Sequence, residues 1–286
     1  MSRNLRTRIA VAVVAGPAIL WISYQGGAWL FGMVAILALI SIFEFLVNEG
    51  FTPRGVFFWL GLVATALLIV LMGSWNVFNS IFPSSISSGN SIAQTFIVII
   101  LFYTVTAMVF AVGKQSPAEL FKRHSRLVWG VLYVGLLYPV VFKVGNGFGE
   151  FSGGDCLLFL FAVLWAGDTA AMGVGSWLGK HQLAPTVSPR KTVEGFIGGM
   201  ITAALIGLLM YFWKFQGLTI WQVLVVAVGC SVFGQLGDLV ESMWKRSLGI
   251  KDSSTIIPGH GGVLDRFDSL LFAAPFMYGF FHILKQ

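Results

Sequence analysis

Charge is what this sequence has least of: its 286 residues include 18 Lys and Arg and 12 Asp and Glu, 10% of the chain, against about 25% in an ordinary soluble domain. Cysteine is scarcer still. Cys156 and Cys230 are the whole supply and sit in or beside apolar stretches, so neither a disulfide framework nor a cysteine-based zinc site can be built. No internal repeat is evident, and the low-complexity content is only the bias of apolar runs. A water-soluble fold, a disordered chain, a fibrous repeat and a disulfide scaffold are thereby excluded.

What the chain has in place of charge is apolar surface, 57% of it hydrophobic with a mean hydropathy of +0.84. Nine apolar stretches, near 9–24, 28–47, 56–72, 94–112, 127–142, 155–177, 195–213, 221–240 and 269–284, predict an all-α polytopic membrane protein. The third and fifth are short for a crossing. Arg3, Arg6 and Arg8 precede the first stretch as they would in a secretory signal, but further spans follow without a convincing cleavage site, so it reads as a retained helix.

The basic residues orient these spans. With the N-terminus in the cytoplasm, the inner segments hold 15 of them (Arg3, Arg6, Arg8, Arg54, Lys114, Lys122, Arg123, Arg126, Lys180, Arg190, Lys191, Lys245, Arg246, Lys251 and Arg266) and the outer ones 3 (Lys143, Lys214 and Lys285). The C-terminus is then outside. A net charge of +6 spread in this way serves topology and anionic lipid or nucleotide phosphates, and nucleic acid is not expected as a partner. Between spans, 73–90 carries no charge and reads as an outer cap, and Ser116-Pro117-Ala118-Glu119 is a capping box expected to open a short interfacial helix.

Chemistry concentrates in the second half. Glu44 is the one acid inside a span of the first half and reads as a helix-end or interhelical polar group, whereas Asp168, Asp238 and Glu241 lie within or at the ends of later spans. On a helix, Asp238, Glu241 and Ser242 share a face, as do Asp265 and Asp268. Carboxylates without cysteine suit a hard cation, most simply Mg²⁺. Lys245, Arg246, Lys251 and Arg266 would repel one another there unless anions lay between them, and Gly259-His260-Gly261-Gly262 offers backbone N–H groups that could approach phosphate oxygens. Together these describe a metal-assisted phosphate site. A second basic run, Ser188-Pro189-Arg190-Lys191-Thr192, reads as a helix start with Ser188 as cap, where cations oppose the macrodipole unless a phosphate bridges them. Asp168, among small residues, could contact metal or nucleotide or form a structural pair.

The run from Ser242 through Lys245-Arg246, Lys251-Asp252 and Pro258-Gly-His260-Gly261-Gly262-Val-Leu-Asp265-Arg266-Phe-Asp268 closely resembles the signature of phosphatidate cytidylyltransferases, also called CDP-diacylglycerol synthases. Gly237-Asp238, Ser188-Pro-Arg190-Lys191-Thr192 and Gly167-Asp168 look like further features of that family, so the resemblance covers roughly Trp165 to Asp268. It implies an enzyme joining CTP and phosphatidate into CDP-diacylglycerol and pyrophosphate with Mg²⁺, and a homodimer in a bacterial inner membrane with its site facing the cytoplasm. The resulting expectation makes Asp238, Asp265 and Asp268 metal ligands and places Lys245, Arg246 and Arg266 on the reacting phosphates. Nucleotide contacts are expected from Ser188, Arg190, Lys191, Thr192, Asp168, Lys251, His260, Gly261 and Gly262. Residues 113–286 would form the catalytic region and 1–112 a scaffold with dimer or lipid contacts. A CTP-dependent lipid kinase would leave similar residues but release CDP, and a transporter would place its acids nearer the midplane.

Overall fold

The structure is a computed structural model that describes residues 3–73 and 116–284. Apart from one hairpin it is helical: α1 (Arg3–Gln25), α2 (Gly27–Asn48), α3 (Val56–Gly73), α4 (Pro117–Val144), α5 (Gly153–Leu178), β1 (Gln182–Ala184), β2 (Ser188–Thr192), α6 (Val193–Trp213), α7 (Ile220–Ser247) and α8 (Leu264–Leu284). Six of the described helices, α2 and α4 to α8, are long and apolar enough to cross a membrane, while α1 and α3 carry shorter apolar stretches. The stretch at 94–112 and the outer segment 73–90, except for Gly73, lie outside the described residues.

Two expectations about helix starts are corrected. The short interfacial helix expected at Ser116 is the opening of α4 itself, with Ser116 Oγ accepting from Glu119 N at 3.4 Å. Ser188-Pro189 does not begin a helix. Those residues lie on β2, antiparallel to β1, and α6 begins at Val193 with Thr192 as its cap, the Thr192 hydroxyl accepting from Gly195 N at 3.1 Å. The physical reason lies in the charges. A start at Ser188 would put Arg190 and Lys191 in the first turn against the dipole, whereas a start at Val193 puts Glu194 there. Proline also pushes its predecessor toward extended backbone and costs an edge strand no ladder bond it needs.

The chain divides into two compact units, Val34–Pro139, and Met1–Met33 with Val140–Gln286. Within the first, Ser41 and Tyr138 share a hydrogen bond at 2.7 Å, the Arg126 guanidinium lies 3.4 Å from Glu49, and Arg123 sits over the rings of Phe51 and Phe57. Glu44 is 2% exposed, so it is a buried polar group rather than a helix end in water.

Within the second unit, α5 packs on α6, α6 on α7, and α7 on α8, with α1 against α5. Missing side chains permit the closest approaches. A Cβ on Gly237 of α7 would come within 2.7 Å of the Asp268 carbonyl oxygen on α8, so only glycine lets these two backbones meet at this level. The helix ends also suit one another. The last turn of α7 carries Lys245 and Arg246 and the first turn of α8 carries Asp265, each sign matching its dipole.

Candidate active site

Because Gly237 draws α7 against α8, the next residue, Asp238, stands beside Asp268. One turn along α7, Glu241 joins them, and ligand oxygens of Asp238, Glu241 and Asp268 all lie within 4.8 Å of one another. Glu241 and Asp268 are buried and Asp238 is half-buried. Both Glu241 carboxylate oxygens are shielded from solvent, and Oε2 lies 2.5 Å from Lys245 Nζ. Asp268 Oδ1 accepts from Ser269 N at 2.7 Å, and Asp238 Oδ1 accepts from the Ser242 hydroxyl at 3.2 Å.

Asp265 has a different situation. Its Oδ1 accepts from Lys245 Nζ at 2.7 Å, and its Oδ2 accepts from Ser253 N at 2.8 Å, Ser253 Oγ at 3.1 Å and Gly262 N at 2.7 Å. Four donors leave this carboxylate little capacity for a cation. The structure therefore groups Asp238 and Asp268 with Glu241, while Asp265 is the knot that ties the 248–263 loop to α7 and α8. Gly262 spends its N–H on that knot, not on an open anion site. Gly261, at φ +90°, could not carry a side chain, since its Cβ would lie 2.7 Å from Asp265 Oδ2.

A cavity of about 560 Å³ opens on this group, within the range of about 300–1,000 Å³ usual for small-molecule sites. Of the residues singled out from the sequence, Asp168, Asp238, Lys245, His260, Asp265, Arg266 and Asp268 all line it. His260 brings a buried Nδ1 that has no hydrogen-bond partner among the described residues. From outside the cavity lining, Lys191 on β2 reaches Asp238 Oδ2 at 2.6 Å.

The remaining candidates are placed elsewhere. Arg246 donates from Nε to Val187 O at 3.3 Å and from a terminal nitrogen to Ile250 O at 2.9 Å, which fastens the hairpin to the end of α7. Thr192 spends its hydroxyl on the helix cap, Ser188 is half-buried on β2, and Arg190 and Lys251 are exposed. Glu194 braces the hairpin from the other side, its carboxylate 2.6 Å from His181 Nδ1. Glu241, which shares a helical face with Asp238 in the sequence, joins the group without having been assigned as a ligand there, and Ser253 enters from the loop. Glu241 was legible as the i+3 partner of Asp238, whereas nothing in the spacing pointed to Ser253.

Five carboxylates (Asp168, Asp238, Glu241, Asp265 and Asp268) stand against the cations of Lys191, Lys245 and Arg266 around this site. Crowded oxygen donors with an excess of negative charge fit a hard divalent cation. Lys191 and Arg266 flank the same place with charge suited to phosphate.

Comparison with known proteins agrees with this chemistry. Residues 6–284 match the model of the cytidylyltransferase family. The phosphatidate cytidylyltransferase of Staphylococcus haemolyticus is 36% identical over 280 residues, covering 96% of this chain and 97% of that protein. Those of Staphylococcus epidermidis and Staphylococcus aureus are each 35% identical over 278 residues, with the same coverage of both chains. A match along nearly the whole chain, reached independently of the carboxylate geometry, leaves one conclusion: this chain belongs to the cytidylyltransferase family.

Proposed function

We propose that the α7–α8 carboxylate group holds Mg²⁺ while the chain transfers the cytidylyl group of CTP to phosphatidate, releasing pyrophosphate and forming CDP-diacylglycerol. The chain is a nucleotidyltransferase of phospholipid synthesis. Asp238, Glu241 and Asp268 are the ligands in this reading, with Asp265 positioning them through Lys245. The carrying observation is the convergence of three carboxylates from two helices, two of which, Asp238 and Asp268, line a cavity whose other lining residues are both charged and apolar.

Phosphatidate brings its own nucleophile, an anionic phosphate oxygen, so no serine, cysteine or histidine nucleophile is required. That oxygen attacks the α-phosphorus of CTP, and the bond to the bridging oxygen of the departing pyrophosphate breaks. Mg²⁺, when bound, offsets the charge that gathers on the triphosphate. Lys191, held by Asp238 at 2.6 Å, is placed to turn its ammonium to a phosphate as the nucleotide arrives. Exposed Arg190 on the same strand and Arg266 beside the cavity add guanidinium donors suited to phosphate oxygens. Lys245 and Arg246 act at one remove, the first by orienting Glu241 and Asp265, the second by fixing the hairpin that carries Lys191. His260 and Asp168 meet the substrates from the cavity lining.

The topology proposed for this reaction is nine spans in a bacterial inner membrane, with the N-terminus and the site on the cytoplasmic side and the C-terminus outside. It rests on the 15 to 3 division of Lys and Arg. Residues 113–286 supply the carboxylates and basic groups, residues 1–112 supply scaffold and lipid contacts, and the unit is a homodimer. Incubating purified protein with labelled CTP, phosphatidate and Mg²⁺ tests the function. A lipid-extractable cytidine product with equimolar pyrophosphate is expected, whereas release of CDP would make the chain a kinase. Reporters at Ser253 and at the C-terminus test the topology, which fails if both lie on the same side.

A further inference from the structure

The cavity beside the carboxylates has a second wall, supplied by α1. Ala12, Ala15 and Gly16 line it there, with Val11 and Ile19 continuing the same helical face at spacings of one, four, five and eight residues. Phe161 and Leu164 of α5 and Leu270 of α8 are apolar parts of the same lining. A Cβ built on Gly16 meets no atom within 4 Å, so a larger side chain there has open space to enter and no packed neighbour to displace.

The lining of this cavity asks for two different chemistries. Asp238, Asp268, Arg266 and His260 suit phosphate with its cation, and the α1 face suits hydrocarbon. A nucleotide is polar along its length and leaves the α1 wall unused. An amphiphile with an anionic head and an apolar body uses both kinds of lining. On the reading given under Proposed function, that amphiphile is the lipid substrate. We propose that Gly16, with Ala12 and Ala15, forms the wall against which the glycerol and the first acyl methylenes of the lipid lie, so that the bulk at position 16 sets how well a diacyl lipid is accepted. The residues that bind CTP lie on other elements, so bulk at position 16 acts on the lipid alone.

The test is Gly16→Leu, assayed in mixed micelles with CTP and Mg²⁺ as the surface concentration of a diacyl phosphatidate is varied. The apparent KM for the lipid should rise about tenfold or more, the effect of losing a modest share of binding energy, while kcat at saturating lipid and the KM for CTP stay within about twofold. Val14→Leu, on a more exposed part of α1 outside the cavity lining, should behave as wild type. Should Gly16→Leu fail to accumulate in membranes, Ala12→Leu carries the same expectation. An unchanged lipid KM in a folded variant overturns the proposal, as does a parallel loss in CTP and lipid parameters. Failure of the wild-type protein to make a cytidine lipid would instead overturn the functional reading on which it rests.

Discussion

Two regions of this molecule bury acidic groups, and they do so on opposite terms. In the Val34–Pro139 unit, Glu49 lies beside Arg126 at 3.4 Å and Glu44 is shut away at 2% exposure. Where α7 meets α8, Asp238, Glu241 and Asp268 crowd within 4.8 Å of one another. Burying one charge beside a partner serves the fold. Gathering three like charges costs free energy that Lys191 beside Asp238 and Lys245 beside Glu241 offset only in part, two cations against three carboxylates, which is the kind of arrangement functional sites have.

The largest expected effect comes from breaking that crowd. Asp268→Asn or Asp238→Asn keeps shape and removes charge, and turnover should fall by about 10²–10³ or more, the scale seen when a preorganised electrostatic group is lost. The double variant should be little worse than either single one, because one damaged cation site cannot be lost twice. Near-normal turnover of Asp268→Asn at saturating Mg²⁺ would remove α8 from the cation site.

Next comes Asp265→Asn, which strikes the knot and not the ligands. Breaking a buried ion pair from one side costs about 3–5 kcal/mol, so this variant should lose activity together with a marked drop in thermal unfolding midpoint. Asp268→Asn should lose activity without that drop. Equal midpoints for the two would dissolve the distinction between tying and ligating carboxylates.

Lys191→Ala should be milder, raising the KM for CTP by about tenfold, as expected for one phosphate contact, and leaving the lipid KM alone. Wild-type CTP kinetics would leave Lys191 as a partner of Asp238 only. At the far end of the scale, Arg126→Ala in the other unit should leave turnover near wild type, its cost falling on stability because the Glu49 side chain it would leave behind is only 5% exposed. A loss of turnover there comparable with Asp268→Asn would erase the contrast between the two regions.

Much of this was legible in the sequence because lipid imposes a coarse rule, that apolar runs of sufficient length become helices. The starts of α2, α3, α5 and α6 fall within two residues of the stretches read from composition. The carboxylates were legible because helical spacing places Asp238 with Glu241 and Asp265 with Asp268. What spacing does not carry is which carboxylate the surrounding loop will occupy. Ser253 and Gly262 donate to Asp265 only because the 248–263 loop folds back on it, a tertiary event with no local periodicity. The hairpin was hidden for a related reason. Ser188-Pro189 satisfies the local grammar of a helix start, and Thr192 four residues later satisfies it better once charge is counted.

Gly237 gives the pair α7 and α8 something like the jaws of a vice closed on no shim. Its missing methyl lets the Asp268 carbonyl lie where a Cβ would intrude at 2.7 Å. The gauge of the acidic pocket is therefore machined by the backbones, not by the acids themselves. Lengthening or shortening an acidic side chain retunes one jaw, but the smallest wedge at position 237 would open both together. The tolerance of the whole mechanism thus rests on a residue that presents no chemistry of its own.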